Sequence, residues 1–180
     1  MLILLTGPKH CGKSSLAPVL AALLGGTWAD LDARLETMTG RSPRSLYRES
    51  PALFRQAEAA ALAELLTGEN PAGGSVVVAA GGGICDNGEA LTLLKELRPF
   101  IVYLEISAAT AWERILRGAE SGGLPPFLEG EDPRETHRIL HERRAALYRA
   151  LADLSVPAES GSPEALAAAI RASLPHTPPP

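Results

Sequence analysis

The stretch Gly7-Pro8-Lys9-His10-Cys11-Gly12-Lys13-Ser14 constrains the fold of this chain more than any other feature. It reads G-x-x-x-x-G-K-[ST], a phosphate-binding pattern that works only between a strand and a helix. The flanks supply both. Leu2-Ile3-Leu4-Leu5 is a short, unalternating apolar run, which predicts a strand buried on both faces. From Lys13 onward, Leu16, Val19, Leu20, Leu23 and Leu24 recur at helical spacing until Gly25-Gly26 stops the helix. The residue types suit a polyphosphate. Glycines let backbone amides approach it without a Cβ clash, and the helix start adds a positive dipole end. Lys13 is expected to reach the β- and γ-phosphates, and the Ser14 hydroxyl to bind Mg²⁺. Gly7 to Ser14, with Ser15 beside them, are therefore the candidate nucleotide-binding residues.

Further strands follow at intervals: Thr27 to Asp30, Val76 to Ala80, Phe100 to Leu104 and Leu154 to Val156. Helix starts fall between them. Ser42-Pro43, Ser50-Pro51, Asp132-Pro133 and Ser162-Pro163 each place a capping side chain before a proline at the first helical position. Strands alternating with helices predict an α/β fold, a five-stranded parallel sheet with helices on both faces in three layers, α/β/α. The expected organisation is one domain over residues 1–174, followed by a proline-rich, disordered tail over 175–180. The segment 118–131 has three glycines before Leu124 and then Pro125-Pro126, so it cannot be a long helix. A loop of this length between two helices reads as a lid.

Composition narrows the function. A net charge of −4 gives no basic field for a nucleic-acid backbone. No stretch approaches the roughly 20 apolar residues of a membrane span, and the apolar start is too short for a signal peptide. Two isolated cysteines, Cys11 and Cys85, form neither a disulfide framework nor a CxxC metal pattern. The expectation is a cytoplasmic monomer that acts on a small molecule, with neither nucleic-acid nor membrane partner.

Asp30 and Asp32 follow the second strand. Ligands of open α/β sheets lie beyond the carboxyl ends of the strands, so both carboxylates are expected on the phosphate-loop side. One can order Mg²⁺ and the other can accept a proton from a substrate hydroxyl. Helix capping competes with both roles.

At this point the chain resembles the shikimate kinases, a P-loop family of the nucleoside-monophosphate-kinase-like group. The resemblance covers Leu2 to about Val156. It is carried by Asp30-Leu31-Asp32 with Glu36, Gly40-Arg41-Ser42, Phe54-Arg55 with Glu58, Gly81-Gly82-Gly83, Val102-Tyr103-Leu104, and Arg144 four residues before Tyr148. It implies transfer of a phosphoryl group from ATP to the 3-hydroxyl of shikimate, with ATP and Mg²⁺ as cofactors. By the same resemblance, Lys13 and Asp32 are catalytic, Asp32 holding the reacting hydroxyl as candidate base, and Asp30 joins Ser14 at the metal. Arg55 and Arg144 clamp the substrate carboxylate, a fit to bidentate guanidinium pairing. Gly82 and Gly83 line the substrate pocket, Glu58 supports it, and Arg114 lies beside the adenine. Taken singly, Arg55, Glu58 and Arg144 also read as exposed helix-face charges.

The resemblance breaks in the lid. The family carries an arginine just before a proline and two leucines, whereas this chain has Pro125-Pro126-Phe127-Leu128. Three expectations remain open. Another cation, from Lys9, Arg117 or Arg134, takes over the phosphoryl charge. Or the prolines and Phe127 reshape the pocket for a different hydroxy acid or sugar acid. Or the protein binds nucleotide with a degenerate lid and turns over slowly or not at all.

Overall fold

A computed structural model describes residues 1–68, 74–119 and 123–175. The tail beyond Pro175 and the middle of the expected lid, 120–122, lie outside the described residues. In chain order the elements are β1 (Leu2–Thr6), α1 (Lys13–Leu23), β2 (Thr27–Asp30), α2 (Leu31–Thr39), α3 (Pro43–Glu49), α4 (Pro51–Thr67), β3 (Val76–Ala79), α5 (Gly88–Leu97), β4 (Phe100–Glu105), α6 (Ala108–Ala119), α7 (Pro133–Leu151), β5 (Leu154–Pro157) and α8 (Pro163–Ser173). Short 3₁₀ turns occupy Ile84–Asp86 and Pro126–Leu128.

The five strands form one sheet in the order β2-β3-β1-β4-β5, every pair parallel. β1 sits at the centre, which explains its continuous apolar run: both faces are covered. Its alternate side chains feed two separate cores. Ile3 and Leu5, with Val77, Ala79, Val102 and Leu104, pack against α1 and α8 through Leu16, Leu20, Ala167 and Ile170. Leu4, with Val78, Ile101 and Tyr103, packs the other way, against Leu31, Leu35, Leu62, Leu94 and Tyr148 from α2, α4, α5 and α7. The three-layer α/β/α arrangement expected from the strand–helix alternation is thus built, with all strand carboxyl ends on one edge.

Local chemistry sets the helix starts. Ser42, Ser50, Asp132 and Ser162 each accept a backbone N–H of the first turn, with proline at the first helical position. α2 begins at Leu31 because Asp30 is its cap: Oδ1 accepts from Asp32 N at 3.0 Å and Ala33 N at 3.2 Å. Asn87 caps α5 in the same way, through Ala90 N at 3.2 Å.

The β1–α1 turn needs a glycine. Gly7 has φ +141°, and a Cβ there would stand 2.7 Å from the Leu104 carbonyl oxygen and 2.9 Å from Cys11 Sγ. The first loop glycine is therefore fixed by contact with β4 as well as by its positive φ.

Gly26, at the entry to β2, is the tightest position remote from the loop. A Cβ on it would lie 1.9 Å from Ser75 O and 2.7 Å from Ser75 C, both backbone atoms that no rotamer can move. Gly26→Ala should therefore cost at least about 2 kcal/mol in urea denaturation. A change within about 0.5 kcal/mol would show that the β2–β3 edge is looser than described.

Candidate active site

Three chain segments leave the sheet at its carboxyl edge and meet around a cavity of about 470 Å³. They are the loop after β1, the turn from β2 into α2, and the glycine run after β3. The cavity is lined by Lys9, His10, Gly12, Lys13, Ser14 and Ser15 from the first, Asp30 and Asp32 from the second, and Gly81 to Gly83 from the third. Phe54 and Glu58 of α4, Arg144 of α7, and Pro125 to Phe127 close it.

The loop is held from beneath. Lys13 is only 7% exposed, and its Nζ donates to Gly7 O at 3.0 Å and Pro8 O at 2.8 Å. Cys11 Sγ, 3.4 Å away, is a third acceptor. His10 adopts the left-handed region at φ +61°, uncommon for a residue with a Cβ and a mark of a functional turn. Burial, then the charges of Lys9, Lys13 and Arg114, keep the His10 imidazole below its ordinary range, hence neutral. Arg114 braces the loop from α6, its Nη1 donating to His10 O at 3.1 Å and its Nη2 to Glu159 O at 3.0 Å.

Asp30 does two things at once. Oδ1 caps α2 while Oδ2 accepts from Ser14 Oγ at 2.6 Å. Capping and a place beside the loop hydroxyl are therefore compatible, not alternatives. The Asp32 carboxylate opens on the cavity, so solvent reaches it, yet protein surrounds it on its other sides. Burial first, then repulsion from Asp30, raises its carboxyl above the ordinary range, against the pull of Lys13 and Lys9.

Glu58 is 1% exposed, the opposite of a helix-surface charge. Asn87 Nδ2 donates to its Oε2 at 2.9 Å and to Arg55 O at 2.8 Å. Glu58 Oε1 has no hydrogen-bond partner among the described residues. Burial, with Asp32 as a like charge, pushes this carboxyl up to about 7, against the Asn87 hydrogen bond and the charges of Arg144 and Arg55.

Arg144 enters the cavity from α7. Its Nε donates to Asp86 Oδ2 at 2.9 Å and its Nη1 to Gly82 O at 2.9 Å. It also stacks over Phe127 at 5.5 Å. Gly82 O accepts a second bond, from Tyr148 OH at 2.7 Å. Arg55 is placed differently. It lies one turn before Glu58 on α4, exposed, and is not among the residues that line the cavity. The two arginines paired by the family resemblance are thus not equivalent here. Arg117 and Arg134, the other cations near the lid, are exposed and also do not line it.

Four participants escape a sequence reading. Asn87 carries only a capping signal, and nothing in the pattern shows that its amide also holds Glu58. Asp86 anchors Arg144 across 58 residues. Tyr47 packs edge-on against Phe54 and Phe127, at 5.8 and 6.5 Å. Arg44 donates to Gly123 O at 3.3 Å and Leu124 O at 2.7 Å, and so fastens the lid segment to α3. Both cysteines are free and buried, and burial pushes the Cys85 thiol up, away from reactivity.

Glu58 makes a pH test. A carboxyl raised from its ordinary 4.5 to about 7 holds a proton in the native state that the unfolded chain has already released. Unfolding free energy should then fall as pH rises through that window. Glu58→Gln removes this titration. Its stability relative to the natural protein should therefore grow by roughly 2–3 kcal/mol between about pH 4.5 and about pH 8 in urea denaturation. Parallel pH profiles would contradict the burial of an ionisable Glu58.

Residues 9–175 match the family model described as shikimate kinase. A shikimate kinase of Marinomonas sp. (strain MWYL1) is 32% identical over 166 residues, covering 92% of this chain and 87% of that protein. One from Halorhodospira halophila is 36% identical over 166 residues, covering 92% and 88%. Among solved structures, the shikimate kinase from Acinetobacter baumannii in complex with shikimate matches with a TM-score of 0.80 at 30% identity, over 94% of this chain and 90% of that one. The enzyme from Aquifex aeolicus matches at 0.76 and 29% identity, over 96% and 95%.

Proposed function

The chain belongs to the shikimate kinase family, and we propose that it transfers the γ-phosphoryl group of ATP to the 3-hydroxyl of shikimate, giving shikimate 3-phosphate and ADP. One observation carries the reading: Asp32 and the phosphate loop face the same cavity. A hydroxyl held at Asp32 is then presented to a phosphate held by the loop.

Each residue has a task in this account. The amides of Gly7 to Ser15 and the start of α1 hold the phosphates, with Lys13 released from its loop carbonyls onto the β- and γ-oxygens. Arg114 lies beside the loop, where the adenine end of the nucleotide would leave it. Asp32 accepts the hydroxyl proton, and its raised carboxyl is suited to a base. Arg144, with Phe127 over its guanidinium, offers a planar donor to the substrate carboxylate. Arg55 joins it by turning inward from the α4 surface. Gly82 and Gly83 leave room for the ring, and Glu58 offers its unpartnered Oε1 to a ring hydroxyl.

Mg²⁺ fits the donors present. Ser14 Oγ and Asp30 Oδ2 are hard oxygens 2.6 Å apart, and Mg²⁺ typically takes one or two protein oxygens plus phosphate oxygens and water. No group of three or more His, Cys, Asp or Glu side chains forms a metal cage among the described residues. Bound there, Mg²⁺ would neutralise charge on the β- and γ-phosphates.

Residues 1–174 read as one kinase domain with 118–131 as its lid, since two cores flank a single sheet. Two free thiols support the cytoplasm. The net charge of −4 speaks against nucleic acid as a partner. Among the described residues no helix is long and apolar enough to cross a membrane.

ADP release coupled to a panel of hydroxy acids tests the reading. Shikimate should drive release, Asp32→Asn should lower kcat by about 10²–10⁴-fold, and Arg144→Lys should act mainly on KM for shikimate. Release with another acid and none with shikimate would select a different substrate. ATP binding without turnover on any acid would make the protein a nucleotide binder.

A further inference from the structure

Four cationic side chains line the cavity among the described residues: Lys9, Lys13, Arg44 and Arg144. Three are committed. Lys13 lies on the carbonyls of Gly7 and Pro8. Arg44 is spent on the Gly123 and Leu124 carbonyls and stands 3.7 Å from Glu129. Arg144 is bound to Asp86 and Gly82 O. Lys9 is exposed to the cavity, and its ammonium makes no hydrogen bond or ion pair among the described residues. The lid segment 123–131 contributes no cation of its own.

The root of the Lys9 side chain is nevertheless fixed. Its backbone packs on the glycine run, where a Cβ on Gly82 would stand 3.0 Å from Lys9 N and 3.4 Å from Lys9 Cα. The chain there cannot drift toward β3, so the side chain starts from a defined point between the loop and Gly82. Lys9 and Lys13 are the two cations whose charge acts on the Asp32 carboxylate. A group passing from the loop to a hydroxyl at Asp32 would cross the cavity that Lys9 and Lys13 both line.

We propose that Lys9 is a catalytic residue: its ammonium donates to the equatorial oxygens of the phosphoryl group in flight, on the side away from Lys13. The inference rests on the kinase reading above. In the step itself, the bond between the γ-phosphorus and its bridging oxygen breaks, and its electron pair leaves with ADP. A bond forms from that phosphorus to the substrate 3-hydroxyl oxygen, whose proton passes to Asp32. Lys9 keeps its protons throughout and lowers the energy of the charge spread over the three oxygens. A point charge on a flexible stem suits an oxygen that moves during the reaction.

Steady-state kinetics of Lys9→Met and Lys9→Arg with ATP and shikimate test this. Methionine retains length and packing but removes the charge. Its kcat should fall about 10²-fold or more, with KM for both substrates within about threefold and thermal stability unchanged. Arginine should restore most of kcat. A structural role for Lys9 would move KM or stability and would not be rescued by charge. Lys9→Met turning over at the natural rate would overturn the proposal. If the unaltered protein releases no ADP with shikimate, the kinase reading fails first and takes this inference with it, so the two failures are distinguishable.

Discussion

The glycine run at the end of β3 holds the site together by leaving space. A side chain at Gly81 would stand 2.7 Å from Glu58 Oε1 and 3.3 Å from Asp32 Oδ1, and one at Gly82 would press on the loop backbone at Lys9. Gly83 would only touch Arg144, at 3.4 Å. Two missing side chains thus allow α4, the β2–α2 turn and the phosphate loop to converge on one strand end. The Gly82 peptide is in turn pinned by Arg144 and Tyr148 through its carbonyl. Its position therefore transmits the placement of α7 to the loop. Backbone atoms cannot yield as a rotamer does, so crowding at Gly82 would displace the phosphate cradle. An error of about 1 Å there is enough to cost catalysis.

The charges around that junction are arranged at some expense to stability. Asp30, Asp32 and Glu58 crowd one side of the cavity, and each of the two whose carboxyls are raised is raised by burial first and by a neighbouring acid besides. Glu58 leaves one oxygen without a partner among the described residues. Such groups destabilise a folded chain unless a ligand completes them. The opposing cations are mostly fastened to carbonyls and to Asp86, which among the described cavity-lining residues leaves Lys9 as the cation without a hydrogen bond or ion pair. This pattern, carboxylates strained toward neutrality against one uncommitted cation, suits a site that handles a polyanion and a proton in one event.

Much of this was legible in the chain. The phosphate loop, all five strands and the proline-marked helix starts follow from rules that act within about a dozen residues. The strand–helix alternation then fixed which ends of the strands carry the site. What escaped reading depends on contacts between distant segments. Nothing near Asn87 announces that it caps α5 and holds Glu58 at once, and nothing near Arg44 announces the lid carbonyls 79 and 80 residues away. Asp30 was readable as a cap or as a partner of the loop, and only the three-dimensional arrangement makes it both. Arg55 and Arg144 look alike in sequence. They part in space because α7 carries Arg144 across the cavity while Arg55 stays on the outer surface of α4.

The central claim is that one cavity holds both the nucleotide phosphates and the acceptor hydroxyl, so that transfer is direct. The stereochemical course at phosphorus tests this most directly. With ATP made chiral at the γ-phosphorus by oxygen isotopes, a single in-line displacement between two substrates bound together gives shikimate 3-phosphate of inverted configuration. Retention would require a phosphorylated protein intermediate and would contradict the account.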